Sequence, residues 1–255
     1  MNSTGLRIAL ALALAFVVVF SVWPQIDLKV AALFYDAASR SFPVSQGALA
    51  AFARDAAMWI AWAFAAPAIV ALLVKLARPL RPLLIPGRTV LFLLSTIVLS
   101  AGLISNAGFK THWGRPRPVM VTEFSGPWQF KPWYDSSGAC PKNCSFFSGE
   151  GATAFWTYAP AALAPPAWRP LAYAGATLFG LATGGLRIAF GGHFLSDVLA
   201  SGLVAFLVVW LAYALIYRWP ATRLTDAGID AALTRLALPG WRRLRRWWSA
   251  RSPQP

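Results

Sequence analysis

Val198-Leu199-Ala200-Ser201-Gly202-Leu203-Val204-Ala205-Phe206-Leu207-Val208-Val209-Trp210-Leu211-Ala212-Tyr213-Ala214-Leu215-Ile216-Tyr217 carries no charge. It has the ~20-residue length that takes an α-helix across ~30 Å of hydrocarbon. Five more uncharged blocks precede it, at residues 8–23, 56–74, 89–109, 151–168 and 171–186. Several are a little short, a mismatch that local thinning of the bilayer absorbs only for some. The chain is 58% hydrophobic and only 13% charged, too apolar for an ordinary soluble domain. The expected fold is therefore all-α: a polytopic membrane bundle of six transmembrane helices over residues 1–217, followed by a basic amphipathic tail over 218–255.

The first block follows Arg7, as a secretory signal would. It ends in Phe20-Ser21-Val22-Trp23-Pro24, where bulky Trp23 fits poorly to a small-residue cleavage site. It is read as a retained anchor. Short-loop Lys and Arg set orientation. Lys75, Arg78, Arg81 and Arg88 follow block two, Arg169 separates blocks four and five, and Arg218, Arg223, Arg235, Arg242, Arg243, Arg245, Arg246 and Arg251 crowd the tail. Alternation puts all of these, and both termini, on the cytoplasmic side. The opposite side receives residues 27–55, the long 110–150 loop and the His193 region. The net charge of +14 points to an anionic partner. Because the basic residues sit between spans or beside the bilayer, that partner is anionic lipid headgroup rather than nucleic acid.

Immediately before the last block stands Gly185-Leu186-Arg187-Ile188-Ala189-Phe190-Gly191-Gly192-His193-Phe194-Leu195-Ser196-Asp197. If His193 opens a helix, Asp197 lies one turn on along the same face. A carboxylate fixing one imidazole nitrogen leaves the other as nucleophile or base, and Arg187 grips phosphate or carboxylate oxygens.

Upstream, block three runs into Lys110-Thr111-His112-Trp113-Gly114-Arg115-Pro116-Arg117-Pro118, a shaped loop holding cations convergently. Before block four comes Ser145-Phe146-Phe147-Ser148-Gly149-Glu150-Gly151. Ser148 is placed to cap a helix, and with Gly149 it offers backbone N–H groups to an anion. Cys140 and Cys144, the two cysteines of the chain, share the outer loop and can pair in an oxidising compartment. Two histidines, two cysteines and scattered carboxylates speak against a metal site, and no cofactor is expected.

Residues 27–46 read as a short interfacial piece with a structural role, its aromatics at headgroup depth. The tail reads as two parts: a weak amphipathic segment over 225–238, then Trp241-Arg242-Arg243-Leu244-Arg245-Arg246-Trp247-Trp248, the composition of a segment lying on an anionic membrane. No internal repeat is present.

Together the three stretches resemble the type 2 phosphatidic acid phosphatase (PAP2) family. Its pattern is a lysine with Arg-Pro seven residues on, then Pro-Ser-Gly-His, then an arginine with histidine six and aspartate ten residues later. Lys110 with Arg117-Pro118 fits the first element, and Arg187, His193 and Asp197 fit the third. The second departs: Phe147-Ser148-Gly149-Glu150 has glutamate for histidine, and Leu186 replaces the serine usual before the arginine. A glutamate there is similar to the lipid A phosphatase branch.

The resemblance implies a metal-independent lipid phosphate phosphatase working through a phosphohistidine. His193 would be the nucleophile and Asp197 its orienting partner. Lys110, Arg117, Ser148, Gly149 and Arg187 would hold the phosphate, and Glu150, or else His112, would protonate the leaving oxygen. The expected partner is a phosphorylated lipid in an inner membrane rich in anionic lipid, with the active site facing the periplasm and no obligate protein partner. An undecaprenyl diphosphate or phosphatidylglycerophosphate phosphatase is the alternative within the class. A catalytically inactive protein that binds lipid phosphate is the alternative outside it.

Overall fold

The computed structural model describes residues 3–222 and 224–251. Its helices are α1 (Ser3–Val22), α2 (Gln25–Ala32), α3 (Ala48–Ala77), α4 (Gly87–Ile97), α5 (Lys110–His112), α6 (Gly149–Phe155), α7 (Tyr158–Leu163), α8 (Arg169–Ala189), α9 (Leu195–Tyr213) and α10 (Asp226–Arg251). Wider π-helical turns over Val98–Phe109 join α4 to α5, and Ala214–Arg218 extend α9 in the same way. Among the described residues, extended pairing is limited to two isolated bridges, Asp36 with Ser41 and Val121 with Trp128.

Four helical stretches among the described residues are long and apolar enough to cross a membrane: Ser3–Val22, Ala48–Ala77, Gly87–His112 and Leu195–Arg218. The fourth apolar block differs from the single helix expected, being broken at Trp156–Thr157 into α6 and α7. Pro160 is the physical cause, since proline has no N–H for the carbonyl four residues back and its ring crowds that carbonyl. The carbonyl concerned, that of Trp156, accepts instead from the Ala159 N–H at 2.7 Å.

This broken element is the centre of the bundle. Ala152, Ala154, Phe155, Trp156, Ala159 and Ala162 are buried, and the Trp156 indole N–H donates to the Thr96 hydroxyl on α4 at 2.8 Å. Close approach of α8 depends on two glycines. A Cβ on Gly180 would lie 2.2 Å from the Phe155 ring, and one on Gly184 would lie 2.1 Å from Val198 of α9. The α6–α8–α9 contact that sets the site therefore needs a bare backbone at both positions.

On the far side, α10 is one helix with Pro239 inside it, rather than the two segments expected. Its first turns dock on the α3–α4 connection. Asp230 accepts from Lys75 and from the Leu83 N–H, both at 2.8 Å, and Asp226 accepts from the Arg88 N–H at 2.8 Å. Arg223 and the side chains of Trp248 and Arg251 lie outside the described residues.

Candidate active site

The histidine is delivered by the way α8 ends. Gly191 takes a left-handed backbone (φ 63°), and the N–H groups of Gly191 and Gly192 turn back to the carbonyls of Ile188 and Arg187. This is the usual glycine stop of a helix. A Cβ on Gly192 would sit 2.4 Å from the Arg187 guanidinium, so glycine there lets the arginine lie across the turn. His193 follows, then the first turn of α9.

His193 is 1% exposed. Its Nδ1 lies 2.8 Å from the backbone carbonyl of Ser145 and 3.7 Å from Asp197 Oδ2. Only the first distance is a hydrogen bond. Nδ1–H therefore donates to a main-chain oxygen, which fixes the tautomer and leaves the Nε2 lone pair as the reactive one. Burial pushes the His193 imidazole down to about 4, against the pull of Asp197, and Arg117 and Lys110 push it the same way as burial. The ring is neutral at physiological pH, the state that a nucleophilic role would require.

Asp197 sits one turn from His193, as the spacing predicts, but its oxygens are engaged elsewhere. Oδ2 accepts from the Phe194 N–H (2.7 Å) and the Ser145 hydroxyl (2.5 Å), and Oδ1 accepts from Arg115 Nη1 (2.5 Å). Asp197 thus closes the first turn of α9 and holds Ser145, whose carbonyl in turn holds His193.

Behind it lies a buried ionic cluster that sequence reasoning missed. Arg115 donates to Asp27 at 2.7 Å, to Ser196 at 2.8 Å and to the Lys131 carbonyl at 2.9 Å, and stacks 4.6 Å from the Phe194 ring centroid. Asp27 also accepts from the Ser196 N–H and hydroxyl. The interfacial segment therefore does more than the structural role expected of it, because α2 sends a carboxylate into the site's foundation. With only nine Asp and Glu in the chain, the scarcity of acids was the signal available.

Lys110, Arg117, Arg187, Ser148 and Gly149, the residues expected to hold a phosphate, lie near one another and near His193. Lys110 Nζ packs against Gly149: a Cβ there would lie 2.8 Å from it. Arg117 and Lys110 both bear on the charge of His193, and Arg117 and Arg187 both interact with Glu150. Arg187 is largely buried, and its Nε lacks a hydrogen-bond partner within the protein. Ser148 caps α6 by accepting from the Gly151 N–H at 3.1 Å, while its own N–H donates to the Asp197 carbonyl at 3.3 Å. That N–H is thus already used within the protein, leaving the hydroxyl and the Gly149 N–H for a ligand.

Glu150 lies in a different setting from the one expected of a protonated acid. Arg54 of α3 donates to it from Nε at 3.0 and 3.1 Å and from Nη2 at 2.6 Å, and Arg187 Nε is 3.4 Å away. Two guanidiniums around one carboxyl favour the ionised form. Sequence reasoning missed Arg54 too: it stands beside Asp55, just outside the second apolar block, as an ordinary flanking charge would. His112, the other candidate acid, is exposed at the end of α5. Cys140 and Cys144 are joined as a disulfide.

A profile described as the PAP2 superfamily matches residues 89–221. The chain is 34% identical over 201 residues to the lipid A 4'-phosphatase of Francisella tularensis subsp. novicida (strain U112), covering 78% of this chain and 90% of that one. It is 37% identical over 119 residues to the lipid A 4'-phosphatase of Rhizobium leguminosarum, covering 47% of this chain and 51% of that one. No solved structure matches it. The match across 89–221 contains Lys110, Arg117, Ser148, Arg187, His193 and Asp197, and the chain belongs to the PAP2 superfamily.

Proposed function

We propose that this phosphatase removes a phosphate ester from lipid A at the periplasmic face of a bacterial inner membrane, through a phosphohistidine on His193. The observation that carries the reading is the orientation of His193, with Nδ1–H tied to the Ser145 carbonyl amid Lys110, Arg117 and Arg187. In the first step Nε2 attacks phosphorus, the N–P bond forms and the P–O bond to the sugar breaks. The departing alkoxide takes a proton from water. A second water then cleaves the N–P bond, releasing inorganic phosphate and free His193. Phosphoryl transfer needs chiefly positioning and charge stabilisation, which the cation cluster supplies.

Glu150, paired with Arg54 and Arg187, acts in this reading as the carboxylate that positions both guanidiniums rather than as the leaving-group acid. The six-crossing topology is kept in this reading, with the α6–α7 pair as the span enclosed by the others and α8 presenting Leu171 and Leu178 outward. Both termini, and with them α10, lie in the cytoplasm. There α10 presents Trp241, Arg242, Arg243, Arg245 and Arg246 to anionic lipid.

Two features favour a lipid over a soluble ester. The relatives named above are lipid A 4'-phosphatases. A groove of about 670 Å³ opens between α1, the α6–α7 pair, α8 and α9, lined by Phe16, Phe20, Phe155, Leu203 and Phe206 among others. Its outer end adjoins the site, since Phe16 packs on Trp133 (5.1 Å) and Trp133 on Phe146 (6.0 Å), beside Ser145. An acyl chain fits such an apolar slot.

Phosphate release by the purified protein from lipid A, a prenyl diphosphate and phosphatidic acid tests the substrate. Lipid A should be preferred, and His193→Ala should abolish turnover while the protein stays folded in detergent. Residual activity within about tenfold of wild type would mean a loss of only ~1.4 kcal/mol of transition-state stabilisation, too little for a nucleophile.

A further inference from the structure

We propose that Asn143 is a positioning residue that aims the Arg117 guanidinium, and that the Cys140–Cys144 disulfide holds Asn143 in place to do so. The inference rests on the reading that Arg117 binds the substrate phosphate.

Asn143 engages Arg117 with two of its own atoms. Arg117 Nε–H donates to the Asn143 backbone carbonyl at 3.0 Å, and Nη2–H donates to the Asn143 side-chain Oδ1 at 2.7 Å. These donors form one edge of the guanidinium. A guanidinium has five N–H groups in a rigid plane, so three remain on Nη1 and Nη2, at its end. That end is the fork that meets phosphate oxygens in parallel. The side-on grip thus consumes the edge a phosphate does not need and fixes the plane of the one it does.

Such a grip requires a particular backbone. Asn143 has a left-handed conformation (φ 54°), which among side-chain-bearing residues asparagine tolerates best. The segment around it is tied to the Lys110–Arg117 stretch at three points. The Cys140 N–H donates to the Gly114 carbonyl (3.0 Å), the Cys144 N–H to the Lys110 carbonyl (3.2 Å) and the Ser145 N–H to the Arg115 carbonyl (2.8 Å). The disulfide closes the four-residue separation between Cys140 and Cys144, with Asn143 inside the ring. One crosslinked turn therefore borders Lys110, grips Arg117 and leads into Ser145, whose carbonyl orients His193.

The test is a double-mutant cycle on phosphate release from lipid A in detergent micelles, with melting temperature as the folding control. Asn143→Ala should lower kcat/KM roughly tenfold, the scale of one hydrogen bond to a charged group. Arg117→Lys keeps the charge but has no edge for Asn143 to hold. In that background Asn143→Ala should therefore cost nothing further. Cys140→Ser with Cys144→Ser should behave the same way, lowering kcat/KM in the wild-type background and nothing further beside Arg117→Lys. A merely structural role would give independent losses that multiply in both backgrounds, and that outcome overturns the proposal, as does wild-type kcat/KM in Asn143→Ala. If Asn143→Ala melts early, Asn143→Gly keeps the left-handed turn and the backbone carbonyl and loses only the side-chain bond. It should then give the smaller loss, again only when Arg117 is present. If Arg117→Lys itself leaves kcat/KM unchanged, the phosphate role of Arg117 fails, and with it the basis for this inference.

Discussion

Asp27 and Arg115, 88 residues apart in the chain, are paired at 2.7 Å with side chains 1% and 0% exposed. Arg115 also meets Asp197 at 2.5 Å, so one guanidinium separates two buried carboxylates, and the two partners are not equivalent. Asp27→Asn keeps a side chain for Ser196 and leaves Arg115 with one counter-charge. Its expected cost is about 1.5–3 kcal/mol, that of a charge-assisted hydrogen bond. Arg115→Met strands two carboxylates together and should cost about 3–5 kcal/mol. Thermal melting in detergent checks the order, and an Arg115→Met protein at least as stable as Asp27→Asn would contradict it.

Glu150→Gln removes the negative charge that gathers Arg54 and Arg187. If the carboxylate acts by positioning them, the fold-loss in kcat should be the same for an alkyl phosphate and for an aryl phosphate, whose leaving group needs no acid. Arg54→Ala should give the same even pattern. General acid catalysis is worth roughly 10²–10⁴-fold. A loss larger by that factor on the alkyl ester would return Glu150 to the role of proton donor.

The depressed basicity of His193 has a definite sign. Its folded value of about 4 lies below the ordinary 6.5, so between those values the unfolded chain binds the extra proton. The stability this group contributes is present above about pH 6.5 and is lost as the pH falls towards 4. In ¹⁵N-histidine-labelled His112→Gln protein, only His193 carries an imidazole. Its spectrum should show an unprotonated Nε2 and a protonated Nδ1 unchanged from pH 7 down to about pH 5. A titration centred near pH 6.5, or the opposite tautomer, would contradict the geometry.

Sidedness is checked by labelling. The native cysteines Cys140 and Cys144 are bonded to each other, so an introduced thiol is the reactive one. Glu123→Cys should react with a membrane-impermeant maleimide added from the periplasmic side, and Pro82→Cys should not. The reverse pattern would invert the topology.

How far the chain could be read follows from what leaves a linear trace. The apolar blocks fixed the helical class. The Arg187–His193–Asp197 spacing placed the histidine and the carboxylate one turn apart, as they stand. The hydrogen bond that orients His193 left no such trace, because its acceptor is the backbone carbonyl of Ser145, and every residue has one of those. Arg54 and Asp27 were hidden differently. Each lies far in sequence from the side chains it meets at the site, and only the packing of α2 and α3 against the later helices brings them in. The break at Trp156 was written in the sequence as Pro160 but masked by the apolar run around it.

That break bears on how the protein is made. Helices of seven and six residues, at 1.5 Å per residue, together reach only about 20 Å, short of the ~30 Å of hydrocarbon. Their residues face protein on nearly every side, so lipid does not have to solvate the interrupted backbone in the finished molecule. During biogenesis no such shelter exists until neighbours arrive. This stretch is therefore a poor independent stop for the insertion machinery. In the proposed six-crossing topology, its entry into the bilayer becomes a joint event with α8 and α9, completed only once α9 has been synthesised.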